Sequence, residues 1–178
     1  EDYLQLPEGE RVELLRGRLI MMSPAPLPRH QFVADQILIQ LSSCGAPVGS
    51  ITISSPIDVE FGPRTIAQPD VVYLRAEHRD RIKNRIYGAP DLVVEVLSPS
   101  TTARDRVEKL DLYRAGGVPE YWIVDSKTHV FEFNILDGGT YHAKAMDSGI
   151  YQSPLFSEVK LDVTAFWQFV EHLFPEDA

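Results

Sequence analysis

Residues 90–100 read PDLVVEVLSPS, an apolar run closed by proline at one end and Ser-Pro at the other, with a single carboxylate, Glu95, inside it. Short apolar runs bounded in this way are strands buried on both faces, as found inside a mixed or parallel sheet. Glu95 therefore belongs close to a core. An ionised carboxylate withdrawn from water without compensation costs several kcal/mol, so it requires a proton, a basic partner or a metal ion.

Working outward, residues 105–115, DRVEKLDLYRA, have helical spacing, with Val107, Leu110 and Tyr113 on one side and Gly116-Gly117 as the stop. Residues 120–125, EYWIVD, form another core strand. Strand, helix and strand in this order allow a right-handed parallel crossover inside a mixed sheet. Upstream, RVELLRGRLIMM over residues 11–22 predicts two short strands joined at Arg16-Gly17. A helix entered through Pro28 follows over residues 30–43, with Val33, Ala34, Ile37, Leu38 and Leu41 on one face. Strands are expected near 50–53, 57–61 and 71–74. Downstream, residues 130–136 and 140–146 flank Asp137-Gly138-Gly139 as a second hairpin. TAFWQFVEHLF, residues 164–174, is an amphipathic helix expected to dock Phe166, Phe169, Val170 and Leu173. The expectation is one α/β domain over residues 1–178, a mixed central sheet flanked by helices, with an N-terminal hairpin and a C-terminal hairpin plus helix.

The chain has 178 residues, 44% of them apolar, enough for a sizeable single core. Cys44 is the only cysteine, which excludes an intrachain disulfide and a cysteine-based zinc site and fits a reducing, cytoplasmic compartment. No twenty-residue apolar stretch predicts a membrane span. Glu1-Asp2-Tyr3 is neither an initiator Met nor a charged signal segment, and reads as a trimmed start. The net charge of −9 argues against a nucleic-acid partner until its distribution is considered. Residues 64–114 hold ten of the seventeen Lys and Arg residues but only eight of the twenty-six Asp and Glu residues. Arg75, Arg79, Arg81, Lys83 and Arg85 cluster before Glu95, and Arg104, Arg106, Lys109 and Arg114 follow it.

Two residues offer themselves to Glu95. Asp70, in QPDVVYL, stands at the mouth of another apolar strand; if the two strands pair, the acids converge at a point suited to a hard divalent cation, Mg²⁺ or Mn²⁺. Its bland alternative is a turn or cap aspartate behind Pro69. Lys109 lies one helix later, with an exposed i,i+4 pair to Asp105 as its alternative.

PDVVYL, APDLVVEVLSPST and DRVEKLDLYRAGGVPEYWIVD together resemble the core of the Uma-type putative restriction endonuclease family, within the PD-(D/E)XK nuclease superfamily. The likeness extends back to VELLRGRLIMMSPAPLPRHQ and covers about residues 3–145. It implies a restriction-endonuclease-like fold with Asp70 and Glu95 as the acidic pair. The superfamily lysine stands two residues after the second acid, where this chain has Leu97; the resemblance points instead to Lys109 on the following helix. Glu13 matches an earlier acid of the pattern, against the alternative of a half-exposed strand glutamate, and His30 also fits, against a structural role at a helix start.

The resemblance implies a metal-dependent endonuclease acting on DNA. Asp70, Glu95 and the Val96 carbonyl would hold Mg²⁺ or Mn²⁺, Lys109 would assist the attacking water, and the basic loop would meet the phosphate backbone. A homodimer would suit two cuts in a duplex. The alternative is a non-catalytic nucleic-acid-binding or assembly module that keeps the fold and pairs Glu95 with an arginine. Hydrolysis of a smaller phosphate ester is weaker, because no glycine-rich phosphate loop occurs.

Overall fold

The computed structural model describes residues 3, 12–22, 26–98, 104–146 and 148–175. Strands β1 (Val12–Leu15) and β2 (Arg18–Met21) form the N-terminal hairpin. Arg16 and Gly17 turn it with φ of 53° and 82°, the left-handed pair that a two-residue hairpin of native twist requires. Helix α1 (Pro28–Gly45) starts on Pro28, where no backbone N–H is needed, and buries Val33, Ala34, Ile37 and Leu41.

The remaining strands are β3 (Ile51–Ser54), β4 (Val59–Gly62), β5 (Thr65–Ala67), β6 (Val71–Leu74), β7 (Ile86–Tyr87), β8 (Leu92–Val96), β9 (Glu120–Asp125), β10 (Val130–Asp137), β11 (Thr140–Lys144), β12 (Ile150–Gln152) and β13 (Lys160–Asp162). A six-stranded sheet runs β11-β10-β9-β8-β6-β3, and a five-stranded one runs β2-β1-β5-β4-β7. In the larger sheet β8 and β9 are parallel, joined through helix α2 (Leu110–Gly116), while its other pairs are antiparallel. Gly138 and Gly139, both at positive φ, close the β10–β11 hairpin. Helix α3 (Val163–Leu173) follows β13, its first turn capped by the Asp162 side chain, which accepts from Ala165 N.

Two cores lie on the two faces of the larger sheet. Leu92, Val94 and Val96 of β8 face α1, α3 and the β12–β13 ribbon, together with Trp122 and Phe133. Val93 and Leu97 face the smaller sheet and α2, with Val72, Leu112, Tyr113, Tyr121 and Ile123. Side chains alternate along a strand, so Glu95 shares the second face with Val93 and Leu97. Leu97 is packed there, and its N–H donates to Val124 O at 2.7 Å.

Several expectations are corrected. The segment before α2 is a π-helical turn, Arg104–Lys109. Its wider spacing shifts the helical phase: of the expected Val107, Leu110 and Tyr113 face, Tyr113 is buried and Leu110 packs against the second core, whereas Val107 is 67% exposed and Lys109 and Leu112 face inward. On α3 the inward stripe is Val163, Phe166, Trp167 and Val170, at i, i+3, i+4 and i+7; Phe169 and Leu173 are exposed.

The basic segment does not surround Glu95. β6 and β8 are antiparallel with Tyr73 opposite Leu92, so the chain from Arg75 to Asp91 leaves the sheet at the end away from Asp70 and Glu95, on the order of 10 Å along the strand. Three of its five Lys and Arg cations are also engaged locally. Arg75 pairs with Glu77 at 2.7 Å, Arg81 donates to Ala89 O, and Arg85 pairs with Glu60 at 3.2 Å.

Candidate active site

Strand register brings Asp70 and Glu95 to neighbouring positions on β6 and β8. Val71 stands opposite Val94, so one step further along the antiparallel pair Asp70 faces Glu95. The Asp70 carboxylate accepts the Val96 N–H at 2.8 Å and so caps the end of β8. His30, in the first turn of α1, sends Nε2 to Val96 O at 2.8 Å and lies 3.3 Å from Asp70 Oδ2.

Glu95 points into the second core and finds two donors on one oxygen. Lys109 Nζ donates to Glu95 Oε1 at 2.7 Å, and Tyr113 Oη donates to the same oxygen at 2.6 Å. Lys109 also reaches Glu13 Oε1 at 3.1 Å, and that carboxylate accepts the Gln68 N–H at 2.9 Å. Glu13 thus links β1 to the segment that ends in Asp70. Glu13, Glu95 and Lys109 retain 0%, 3% and 2% exposure, so the ammonium between two carboxylates stands in for the water they have lost. The Tyr113 hydroxyl is pushed well above its ordinary value, first by burial and then by the Glu95 and Glu13 carboxylates, and remains a donor.

Glu13, His30, Asp70, Glu95, Val96 and Lys109 are therefore brought to one corner of the larger sheet. Tyr113 was not anticipated as a site residue, although it lies four positions after Lys109, one helical turn on, and so on the same face. The side chain of Asp105, the alternative partner for Lys109, lies outside the described residues.

The donor set fits a hard divalent ion: two carboxylates and the Val96 carbonyl, all oxygen. Among the described residues, no three His, Cys, Asp or Glu side chains converge as a ready cage. An ion held here would draw on the main chain and on water as well, which suits Mg²⁺, an ion that keeps several of its waters.

The mixed sheet, with its parallel β8–β9 crossover among antiparallel neighbours and helices beside it, is a restriction-endonuclease-like α/β fold. The chain belongs to the Uma2 family, described as "Putative restriction endonuclease", which matches residues 1–164. Among solved structures, that of a putative nuclease belonging to DUF820 from Anabaena variabilis superposes with a TM-score of 0.78 at 18% identity, covering 94% of this chain and 96% of that one. At that identity the likeness speaks for the fold. No curated protein matches the chain. Among the described residues, no helix is long and apolar enough to cross a membrane.

Proposed function

We propose that the chain is a metal-dependent endonuclease that hydrolyses phosphodiester bonds of DNA. Family membership supports a nuclease, and one observation carries the finer reading: Lys109 contacts Glu95 at 2.7 Å, while strand register sets Asp70 across from Glu95. Asp70, Glu95 and the Val96 carbonyl would hold Mg²⁺ or Mn²⁺. An ion bound there supplies Lewis acidity to a phosphate oxygen and makes a water a stronger nucleophile at neutral pH. Asp70 is positioned by Val96 N–H and His30, and Glu95 by Tyr113 and Lys109. The Lys109 ammonium orients the attacking water and offsets charge building on the phosphate. Glu13 holds Lys109 in place. In-line attack breaks the bond from phosphorus to the 3′ oxygen, leaving a 5′-phosphate and a 3′-hydroxyl. The substrate approaches from the rim formed by His30 and Asp70, whose side chains retain 13% and 14% exposure.

The test is cleavage of plasmid and single-stranded DNA at low salt with Mg²⁺, Mn²⁺ or EDTA, comparing the native chain with Asp70→Asn and Glu95→Gln. Cutting that needs the metal and falls at least a hundredfold in both variants supports the reading. Intact substrates under every condition, with no metal uptake by calorimetry, overturn it.

A second reading, a non-catalytic nucleic-acid-binding or assembly module, is favoured by the burial of Glu95, Lys109 and Glu13 and by the net charge of −9. In that case the triad acts as a structural ion cluster. Lys109→Met then lowers stability, and the native chain shows no metal-dependent cleavage for the variant to lose.

A further inference from the structure

Three polar atoms from three separate elements meet at the open side of the site. They are Nε2 of His30 from α1, Oδ2 of Asp70 at the entry to β6, and O of Val96 at the end of β8. Nε2 is 2.8 Å from Val96 O and 3.3 Å from Asp70 Oδ2. Neighbouring ligands around an octahedral ion with bonds of about 2.1 Å stand about 3 Å apart, since adjacent bonds meet at right angles. The two measured separations bracket that edge length. The two edges that meet at His30 Nε2 thus have the spacing of neighbouring ligands in such a coordination shell.

The chemistry of the contact agrees. A carbonyl oxygen only accepts, so Nε2 carries its proton here and a positive N–H dipole points at the two oxygens that would receive a cation. Replacing that proton by a metal keeps the attraction with both oxygens. The imidazole would then bind as its Nδ1–H tautomer, with the Nε2 proton released. His30 and Asp70 also keep contact with water, unlike the closed pair of Glu95 and Lys109 behind them.

We infer that His30 is a nitrogen ligand of the ion held by Asp70 and the Val96 carbonyl, and that it biases the site toward Mn²⁺ over Mg²⁺. This rests on the metal-dependent reading above. Mg²⁺ keeps to oxygen ligands and dehydrates reluctantly, whereas an imidazole nitrogen favours a first-row transition ion. His30 is in this respect a specificity-determining residue for the metal, and its effect is separable from catalysis.

The deciding experiment loads the full chain with Mn²⁺ and records pulsed electron paramagnetic resonance alongside calorimetric titrations with Mn²⁺ and Mg²⁺. The native chain, His30→Ala, His30→Gln and Asp70→Asn are compared after circular dichroism confirms each fold. His30→Gln keeps an amide N–H able to reach Val96 O, and so preserves a tether of α1 to β8 without supplying an imidazole. The expected result is a ¹⁴N modulation on Mn²⁺ in the native chain that is absent in both His30 variants. Their Mn²⁺-over-Mg²⁺ preference should also fall at least tenfold. Mn²⁺ uptake that depends on Asp70 but shows no ¹⁴N modulation overturns the ligand role and leaves the nuclease reading standing. An unchanged metal preference in His30→Gln does the same. Absence of Mn²⁺ uptake by the native chain overturns both.

Discussion

Lys109 Nζ stands 2.7 Å from Glu95 Oε1 and 3.1 Å from Glu13 Oε1, so a single ammonium neutralises two buried carboxylates drawn from different sheets. Fourteen residues separate Lys109 from Glu95 in the chain, and the crossover helix closes that distance.

Removing the ammonium takes the Lys109 counter-charge away from both buried carboxylates. Lys109→Met is expected to destabilise the fold by about 3–5 kcal/mol. Adding Glu13→Gln and Glu95→Gln should return most of that loss, because neutral amides need no counter-charge. Urea denaturation midpoints of the single and triple variants check this; equal midpoints for Lys109→Met and the native chain contradict it.

Leu97 occupies the second core on the same face of the sheet as Glu95. Leu97→Lys in the Lys109→Met background returns an ammonium to the neighbourhood of Glu95 from two residues further along the same strand face. Part of both the stability and the cleavage lost in Lys109→Met should come back. Recovery of stability without cleavage would assign Lys109 to the structure and not to the reaction.

Tyr113→Phe removes one of two donors from Glu95 Oε1 and leaves the ring packing intact, including its edge contact with Tyr121 at 5.0 Å. A hydrogen bond to a charged group contributes about 1.5–3 kcal/mol, and a loss of that size is expected in denaturation. On the proposed metal-dependent reading, the larger change appears in the affinity for Mn²⁺, since Glu95 loses part of its orientation. Calorimetry on the folded variant tests this, and an unaltered affinity rejects it.

Glu120 lies in the first core with three neutral donors: Trp122 Nε1 at 2.6 Å, Tyr151 Oη at 2.8 Å and Ser153 Oγ at 2.6 Å. Burial raises its carboxyl above the ordinary range, and the three hydrogen bonds lower it only in part. A raised folded value means that the native state binds this proton more tightly than the unfolded chain does. Its contribution to stability is therefore fully present below the ordinary carboxylate range and is lost as pH rises through the folded value. Glu120→Gln should remove this slope, so that the variant gains on the native chain as pH climbs from 4 to 7. Glu120→Ala strands three donors and should cost about 1–3 kcal/mol for each one left dry. Urea melts across that pH range read both effects.

The two glycines that end α2 are required for different reasons. A Cβ at Gly116 would lie 2.5 Å from Phe61 Cδ1, so Gly116→Ala forces the ring out of the second core at a cost of about 1–3 kcal/mol. Gly117 has open space but a φ of 79°, so Gly117→Asn is tolerated better than Gly117→Val. Thermal denaturation of the three variants should rank Gly117→Asn as the most stable.

Much of the architecture is visible in local pattern. The turn residues Arg16-Gly17 and Gly138-Gly139 mark both hairpins, because few residues accept the left-handed backbone that such turns impose. The apolar runs at 71–74, 92–96 and 120–125 mark the centre of the larger sheet. There both faces are covered, so alternation gives way to continuous hydrophobicity. β5, β7, β12 and β13 escape detection because two or three residues are too few to carry a period.

For the candidate site, residues 90–100 establish that Glu95 needs a partner, since a carboxylate in an apolar strand cannot be left dry. Family resemblance indicates Lys109, Glu13, Asp70 and His30. Their meeting point, the addition of Tyr113 and the removal of the Arg75 to Arg85 segment to the far end of the sheet belong to the tertiary structure. Three things set them: the register that places Asp70 across from Glu95, the antiparallel direction of β6 against β8, and the π-helical turn that rotates Lys109 inward. Register and helical phase are fixed by contacts between segments distant in the chain. A local window of sequence holds the residue types that can make those contacts, while the packing of the two sheets selects which of them do.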